Sequence, residues 1–284
     1  MNRRIYVVGA GGKTTLIDCL ARYFKEKGRR VLILTTTHRM LPENDAVLFE
    51  TSNSGDAVTI LRKKMEQAEE CSEGVILEFG QIVKDKAGEL RMGCPEKTVF
   101  HAACEMAEIV LVEADGSRRL PIKVPAEHEP VIFDDADLIF VVQGLAAVGK
   151  KRENVCHRLK LAENLLLKEE FAEAEGKAEQ KLSEAVSLEE IGILMKRGYL
   201  EPLRARFPKA KVIPVLNQAD SEEIAQRGRH MLENLGETRS IVGSLRDGGA
   251  ELLLAEWMKA ILEGEGDSIL PESAVRGDTA LRTG

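Results

Sequence analysis

Aromatic residues are scarce. Phe, Tyr and Trp together make up 4% of the 284 residues, with a single tryptophan. Any core must therefore be built from Leu, Ile, Val and Ala. Apolar residues reach 44%, enough for a sizeable interior in a chain long enough for one large domain or a domain with a small subdomain. Cysteine is sparse too. Cys19, Cys71, Cys94, Cys104 and Cys156 are odd in number and form no C-x-x-C pair, which argues against a disulfide framework and a structural zinc site. No apolar run approaches the ~18 residues of a membrane span. Positive charge is not in excess: 40 Lys and Arg against 47 Asp and Glu leave a net charge of −7. Without a basic stripe, non-specific nucleic-acid binding is a poor fit. The first apolar stretch is short and enters a glycine turn directly, unlike a signal peptide, so the expected compartment is the reducing cytoplasm.

What is present is a βαβ pattern. Ile5 to Val8 reads as a buried strand and Gly9 to Gly12 as a turn. Thr14 to Lys27 reads as a helix, with Leu16, Ile17, Leu20 and Phe24 at helical spacing and Gly28 as its cap. Val31 to Leu34, Val75 to Phe79, Ile109 to Val112, Leu138 to Val142 and Val212 to Leu216 are further apolar, β-branched runs, and a turn at Ala87-Gly88 predicts a hairpin returning through Glu89 to Met92. Continuous apolar strands fit a parallel sheet covered on both faces. The predicted fold class is α/β: a mostly parallel, P-loop NTPase-like sheet covered by helices, with a helical insertion. The divisions are an α/β core over 1–152, a helical insertion over 153–200, the rest of the core over 201–264 and a flexible tail over 265–284. The insertion is rich in Glu, Lys, Ala and Leu, and Ser187-Leu188-Glu189-Glu190 has the form of a capping box. Glu251 to Leu262 reads as a closing helix.

Gly9-Ala10-Gly11-Gly12-Lys13-Thr14-Thr15 follows a strand and opens a helix. In that context glycines let backbone N–H groups close around phosphate oxygens, and the helix N-terminus adds partial positive charge. Lys13 supplies a full charge to the β- and γ-phosphates and acts catalytically there, while the Thr14 hydroxyl ligates Mg²⁺. The string is shorter than G-x-x-x-x-G-K-[ST], with Val7 where the first glycine of that motif would stand. The short form is similar to the loop of Mur-type peptide ligases and some metal-insertion NTPases.

Three further places fit a nucleotide site. Glu113 and Asp115 follow an apolar strand, where a Walker B carboxylate holds Mg²⁺, and period-two alternation puts both on one face. Thr35-Thr36-Thr37-His38 ends the second strand, so Thr37 and His38 are placed to meet the γ-phosphate, its metal or the substrate. Asn217-Gln218-Ala219-Asp220 resembles the guanine-reading N-K-x-D of GTPases, with Gln218 in place of lysine. Asn217 and Asp220 are therefore the candidate base contacts. Arg118, Arg119 and Lys123 form a cationic segment suited to an anionic substrate. Glu127 and His128 beside it are candidate substrate or partner contacts.

Taken together, Val8 to Thr15, Thr35 to His38, Glu113 to Ser117, Leu120 to Pro130, Gly144-Leu145 with Gly149-Lys150, His157-Arg158 and Leu216 to Asp220 resemble the YqeC-like selenium-dependent hydroxylase accessory proteins. The resemblance is colinear over about residues 5 to 220, and Glu113 to Pro130 is its most specific part. It implies a P-loop protein that helps mature molybdenum hydroxylases containing labile selenium, with GTP or ATP and Mg²⁺ as cofactors. The partner would be such a hydroxylase or its cofactor-maturation proteins. Three activities remain open: nucleotide hydrolysis, an ATP-dependent kinase or ligase reaction on a small anionic molecule, and a nucleotide-gated chaperone without significant turnover. Cys156 belongs to no motif.

Overall fold

The computed structural model describes residues 3–42, 45–70, 74–133, 136–173, 183–246 and 258. The chain runs β1 (Arg3–Gly9), α1 (Lys13–Glu26), β2 (Arg30–Thr35), β3 (His38–Arg39), β4 (Ala46–Phe49), α2 (Ser54–Glu70), β5 (Val75–Lys84), β6 (Leu90–Gly93), α3 (Lys97–Cys104) and β7 (Ile109–Glu113). It continues through β8 (Ile122–Lys123), β9 (Leu138–Gly144), α4 (Arg152–Val155), β10 (Cys156–His157), α5 (Leu159–Glu173) and α6 (Leu188–Met195). A π-helical turn at Lys196–Leu200 leads into α7 (Glu201–Arg206), then β11 (Lys211–Asn217), α8 (Glu222–Asn234) and β12 (Ile241–Val242).

The architecture is α/β, with a mixed but mostly parallel sheet in the order β12-β11-β9-β1-β7-β2-β5-β6-β3, and β4 beside β5. Every pairing from β12 to β5 is parallel, and β6 and β3 add antiparallel partners at one end. A separate pair, β8 and β10, is also parallel.

The central strands are buried on both faces, which is why their sequences are unbroken apolar runs. Ile5 and Val7 of β1 join one apolar cluster, while Tyr6 and Val8 join the other. The first cluster is closed by Leu16, Ile17, Leu20 and Phe24 of α1, with Leu245 and Met258. The second is covered by α2, α3 and helical residues of 159–232, among them Leu61, Phe100, Ala162, Ile191 and Leu232. Burial of these side chains is the main stabilising term.

The predicted hairpin forms between β5 and β6, and Ser187 and Glu190 make the reciprocal capping box. Within 152–206 helices dominate, and β10 binds this stretch to β8. The closing helix expected over 251–262 and the tail over 265–284 lie outside the described residues, apart from Met258, which is buried.

Truncating a residue of the α1 face should cost far more than truncating an exposed one. Leu20 is fully buried and Ile60 is 48% exposed. Leu20→Ala should lower stability by about 2–5 kcal/mol, and Ile60→Ala by no more than about 0.5 kcal/mol, as read from urea unfolding curves.

Candidate functional site

The turn after β1 is possible only with glycine. Gly9, Gly11 and Gly12 have φ of 94°, 78° and 132°, conformations that residues with a Cβ rarely hold. Space is equally restrictive. A Cβ on Gly9 would overlap the Val142 carbonyl oxygen of β9, and one on Gly12 would overlap the Asn217 amide nitrogen. A Cβ on Gly11 would lie 2.5 Å from the Gly144 nitrogen and 2.6 Å from the Pro121 oxygen. Ala10 is fully buried between them, and its N–H donates to the Val142 oxygen at 2.8 Å. The result is a tight cradle that opens onto the N-terminus of α1. No side chain caps that terminus, and its first turn holds no acidic residue, so its N–H groups and partial positive charge are left for an outside acceptor.

Lys13 is the first residue of α1 and is 4% exposed. Its ammonium folds back over the cradle, donating to the Gly9 oxygen at 2.8 Å and pairing with Asp115 at 3.3 Å and Glu113 at 3.8 Å. Thr14 is exposed and Thr15 half-buried. The Thr14 hydroxyl donates to Glu113 Oε2 at 3.3 Å.

Glu113 and Asp115 lie on the same side, as strand alternation predicts, but they have different environments. Asp115 is fully buried. Its carboxylate accepts from Gly9 N–H at 2.9 and 3.1 Å and from the Tyr199 hydroxyl at 2.9 Å, and it pairs with Lys13 and, at 3.2 Å, with Lys123. In the nucleotide-free protein its lone pairs are taken up by protein donors, so Asp115 braces the site. Glu113 is also buried, at 8% exposed, and faces Thr14. Burial pushes its carboxyl above the usual range, against the pull of Lys13 and Arg39.

Lys123 also departs from expectation. It is fully buried, and its ammonium reaches the Gly116 oxygen at 2.6 Å, Glu129 at 2.7 Å and Asp115 at 3.2 Å. Three donors meet three acceptors, leaving none for a substrate. Gln143 clamps its backbone, accepting from Lys123 N–H at 3.1 Å and donating to the Lys123 oxygen at 2.8 Å. Asn217 is 4% exposed and uses both ends of its amide, donating to the Gly11 oxygen at 2.7 Å and accepting from Leu245 N–H at 2.9 Å. It holds the cradle's shape. Gln218 has φ of 62°, and its buried side-chain oxygen, which lies against Gly144, has no hydrogen-bond partner. Asp220 is exposed.

Thr35 and Thr36 tie the end of β2 to β7. The Thr35 hydroxyl and the Thr36 N–H both donate to the Glu113 carbonyl, at 3.0 Å each. Thr37, half-buried, donates its N–H to the Thr35 hydroxyl at 3.1 Å. His38 is exposed on β3, and Glu127 and His128 are exposed in the loop after β8. Arg118 and Arg119 are exposed, with φ of 52° and 61°.

A polar cluster that the sequence did not reveal lies beside Glu113. Arg39 donates to Asp18 at 3.3 Å and approaches Glu78 at 3.6 Å, with Arg39 Nη1 and Glu78 Oε2 both buried without a hydrogen bond. Burial raises both carboxyls, Asp18 and Glu78, against the pull of Arg39. Glu78 left a signal, being a charge inside an apolar strand; Tyr199, 84 residues from Asp115, left none. Cys156 is buried, and burial pushes its thiol up to about 11.

Residues 5–160 match the family model described as YqeC protein. The chain belongs to the YqeC family. A YqeC protein of Escherichia coli (strain K12), described as uncharacterized, is 33% identical over 167 residues. That alignment covers 54% of this chain and 57% of the relative, so the chain spans just over half the length of the curated relative it matches. Among solved structures, the MinC:MinD cell division protein complex of Aquifex aeolicus is similar over 95% of this chain and 99% of that chain, at 14% identity and a TM-score of 0.40. Among the described residues, no helix is long and apolar enough to cross a membrane, and no group of three or more His, Cys, Asp or Glu is placed to hold a metal ion.

The two carboxylates should respond oppositely to neutralisation. Asp115→Asn disrupts a buried, fully paired charge and should cost about 3–5 kcal/mol. Glu113 has a raised folded-state pKa, so its charge destabilises the fold above that pKa and has no effect below the unfolded value. Glu113→Gln should therefore stabilise the nucleotide-free protein at neutral pH, and the gain should fade as pH falls into the acid range. Urea unfolding of both variants across pH measures this.

Proposed function

We propose that this YqeC-family chain binds a magnesium nucleoside triphosphate, GTP or ATP, at a P-loop formed by Gly9 to Thr15, and hydrolyses it. The observation that carries the proposal is the glycine cradle with no room for a Cβ, leading into an uncapped helix N-terminus with the Lys13 ammonium buried over it. Backbone amides, helix partial charge and one ammonium suit the β- and γ-phosphates of a nucleotide.

The residues present also fit Mg²⁺. Thr14 and Glu113 already share a hydrogen bond at 3.3 Å, so one hydroxyl and one carboxylate are paired where phosphate oxygens would complete the shell. A magnesium ion bound there would neutralise phosphate charge. The chain's own part is to hold the phosphates with the cradle amides and Lys13, which stabilise charge developing on the transferred phosphoryl group. On binding, the Lys13 ammonium exchanges the Gly9 oxygen for phosphate oxygens, while Asp115 keeps Lys123, Tyr199 and the Gly9 amide. Thr37, tethered through its N–H to the Thr35 hydroxyl at the end of β2, is the proposed contact to the γ-phosphate. Asp220, exposed after the bracing Asn217, is the proposed contact to the base.

The family resemblance supports the wider setting. The chain would act in the cytoplasm as an accessory protein in maturation of selenium-dependent molybdenum hydroxylases, with such a hydroxylase or its cofactor-maturation machinery as partner.

Lys13→Ala should weaken binding of magnesium nucleotide by at least about tenfold and abolish hydrolysis. Calorimetric titration with GTP and with ATP, and phosphate release, measure this; wild-type affinity and turnover in the variant would sink the proposal. Asp220→Ala should weaken GTP binding selectively. Equal loss for GTP and ATP would remove Asp220 from base recognition.

A further inference from the structure

The loop after β7 and the chain leaving β10 bring three basic side chains, Arg118, His157 and Arg158, together beside Lys123. Arg118 and Arg119 stand on the loop that ends at Pro121, whose carbonyl accepts from Gly144 N–H at 2.7 Å and packs against Gly11. The β8–β10 pairing sets His157 opposite Lys123 and so delivers Arg158 to the same place. The His157 imidazole is held below its ordinary range by burial and by the surrounding cations Lys123, Arg158 and Arg118, with Glu129 opposing them.

The largely buried carboxylate of this region, Glu129, is already engaged. Glu129 pairs with Lys123 at 2.7 Å and Arg158 at 2.8 Å, and Lys123 is further held by Asp115 and Gly116. What is left over is unpaired polar atoms. Arg158 Nε and His157 Nδ1 are buried with no hydrogen-bond partner. The neighbouring Arg119 is turned towards the Met40 sulfur, at 3.4 Å, and is not part of this group. Arg118 and Arg158 are also two of the four non-glycine residues with positive φ among the described residues, a conformation that persists where the surroundings enforce it. Guanidinium groups gathered this way match the geometry of phosphate and similar oxyanions.

We propose that Arg118, His157 and Arg158 form a second anion site, distinct from the cradle, that binds the phosphate group of a small-molecule ligand. Its use for a co-substrate or a released product rests on the nucleotide reading; its existence does not. Lys123 positions the site from beneath and does not touch the ligand.

Inorganic phosphate is the probe. Titrated by calorimetry into the full chain saturated with Mg²⁺ and a non-hydrolysable ATP analogue, it should still bind. The affinity should fall about tenfold or more in Arg118→Ala and in Arg158→Ala, and NMR resonances of the His157 ring should shift on binding. Lys13→Ala, titrated without nucleotide, should keep this phosphate binding while losing nucleotide binding. Arg118 is exposed, so its variant tests the site even if Arg158→Ala unfolds. Phosphate binding that Lys13→Ala abolishes and Arg118→Ala leaves intact would overturn the proposal, as would complete competition by the nucleotide analogue or no binding at all. A chain that binds phosphate through Arg118 but no nucleotide would refute the P-loop reading alone.

Discussion

A carboxylate taken fully out of water is costly unless donors surround it, and Asp115 is the place where this chain accepts that constraint. Its donors come from distant parts of the sequence: the amide at the end of β1, the ammonium at the start of α1, Lys123 of β8 and the Tyr199 hydroxyl of the π-helical turn. Moving any one of these elements would strand a buried charge. The cradle's shape, the resting position of Lys13 and the attachment of the helical stretch to the sheet therefore depend on one side chain that itself never faces the opening.

Two residues earlier, Glu113 is handled differently. It has Thr14 and Lys13 beside it and the Asp18–Arg39–Glu78 cluster behind it, yet burial still dominates its titration. One carboxylate is saturated and one is left with unmet demand for positive charge. That difference in environment, rather than residue type, separates a carboxylate that braces the fold from the one proposed to meet the metal. The same division separates the basic residues of the next segment. Lys123 points inward and is used up, while Arg118 and Arg119 stay exposed on a loop held against Gly11.

The parallel sheet was legible because strands buried on both faces must be continuous apolar runs, and β1, β2, β7, β9 and β11 all have that form. The glycine turn was legible because a strand–glycine–lysine–threonine–helix order has few other uses. What spacing could not give was partnership. Asp115, Lys123 and Asn217 looked like ligand contacts because charged and amide residues at strand ends usually face solvent. Here each is matched by other groups of the protein: distant Tyr199 for Asp115, Glu129 with Asp115 in the same segment for Lys123, and distant Gly11 with Leu245 for Asn217. The short elements β8, β10 and β12 carry two residues each, too few for any periodicity to register. The cation cluster at His157 and Arg158 exists only because β10 finds β8.

Strand order explains why all of this converges at one edge of the sheet. β1 is flanked by β7 on one side and β9 on the other, so the chain leaving β1 turns towards β2 while β9 and β11 build in the opposite direction. Loops leaving neighbouring strands in opposite directions open a crevice at the carboxyl ends, the usual place for ligands in open α/β sheets. Gly9 pairs with Val142 at that reversal, and Gly144 and Asn217 end the next two strands in matched register. The ends of β1, β7, β9 and β11 thus meet around one small space. Glycine is required there because the backbones of β9 and of the Pro121 segment already occupy the volume a side chain would need. A cleft whose floor is backbone presents amide dipoles to whatever enters it, and the basic side chains at its rim set the sign of the charge that can stay.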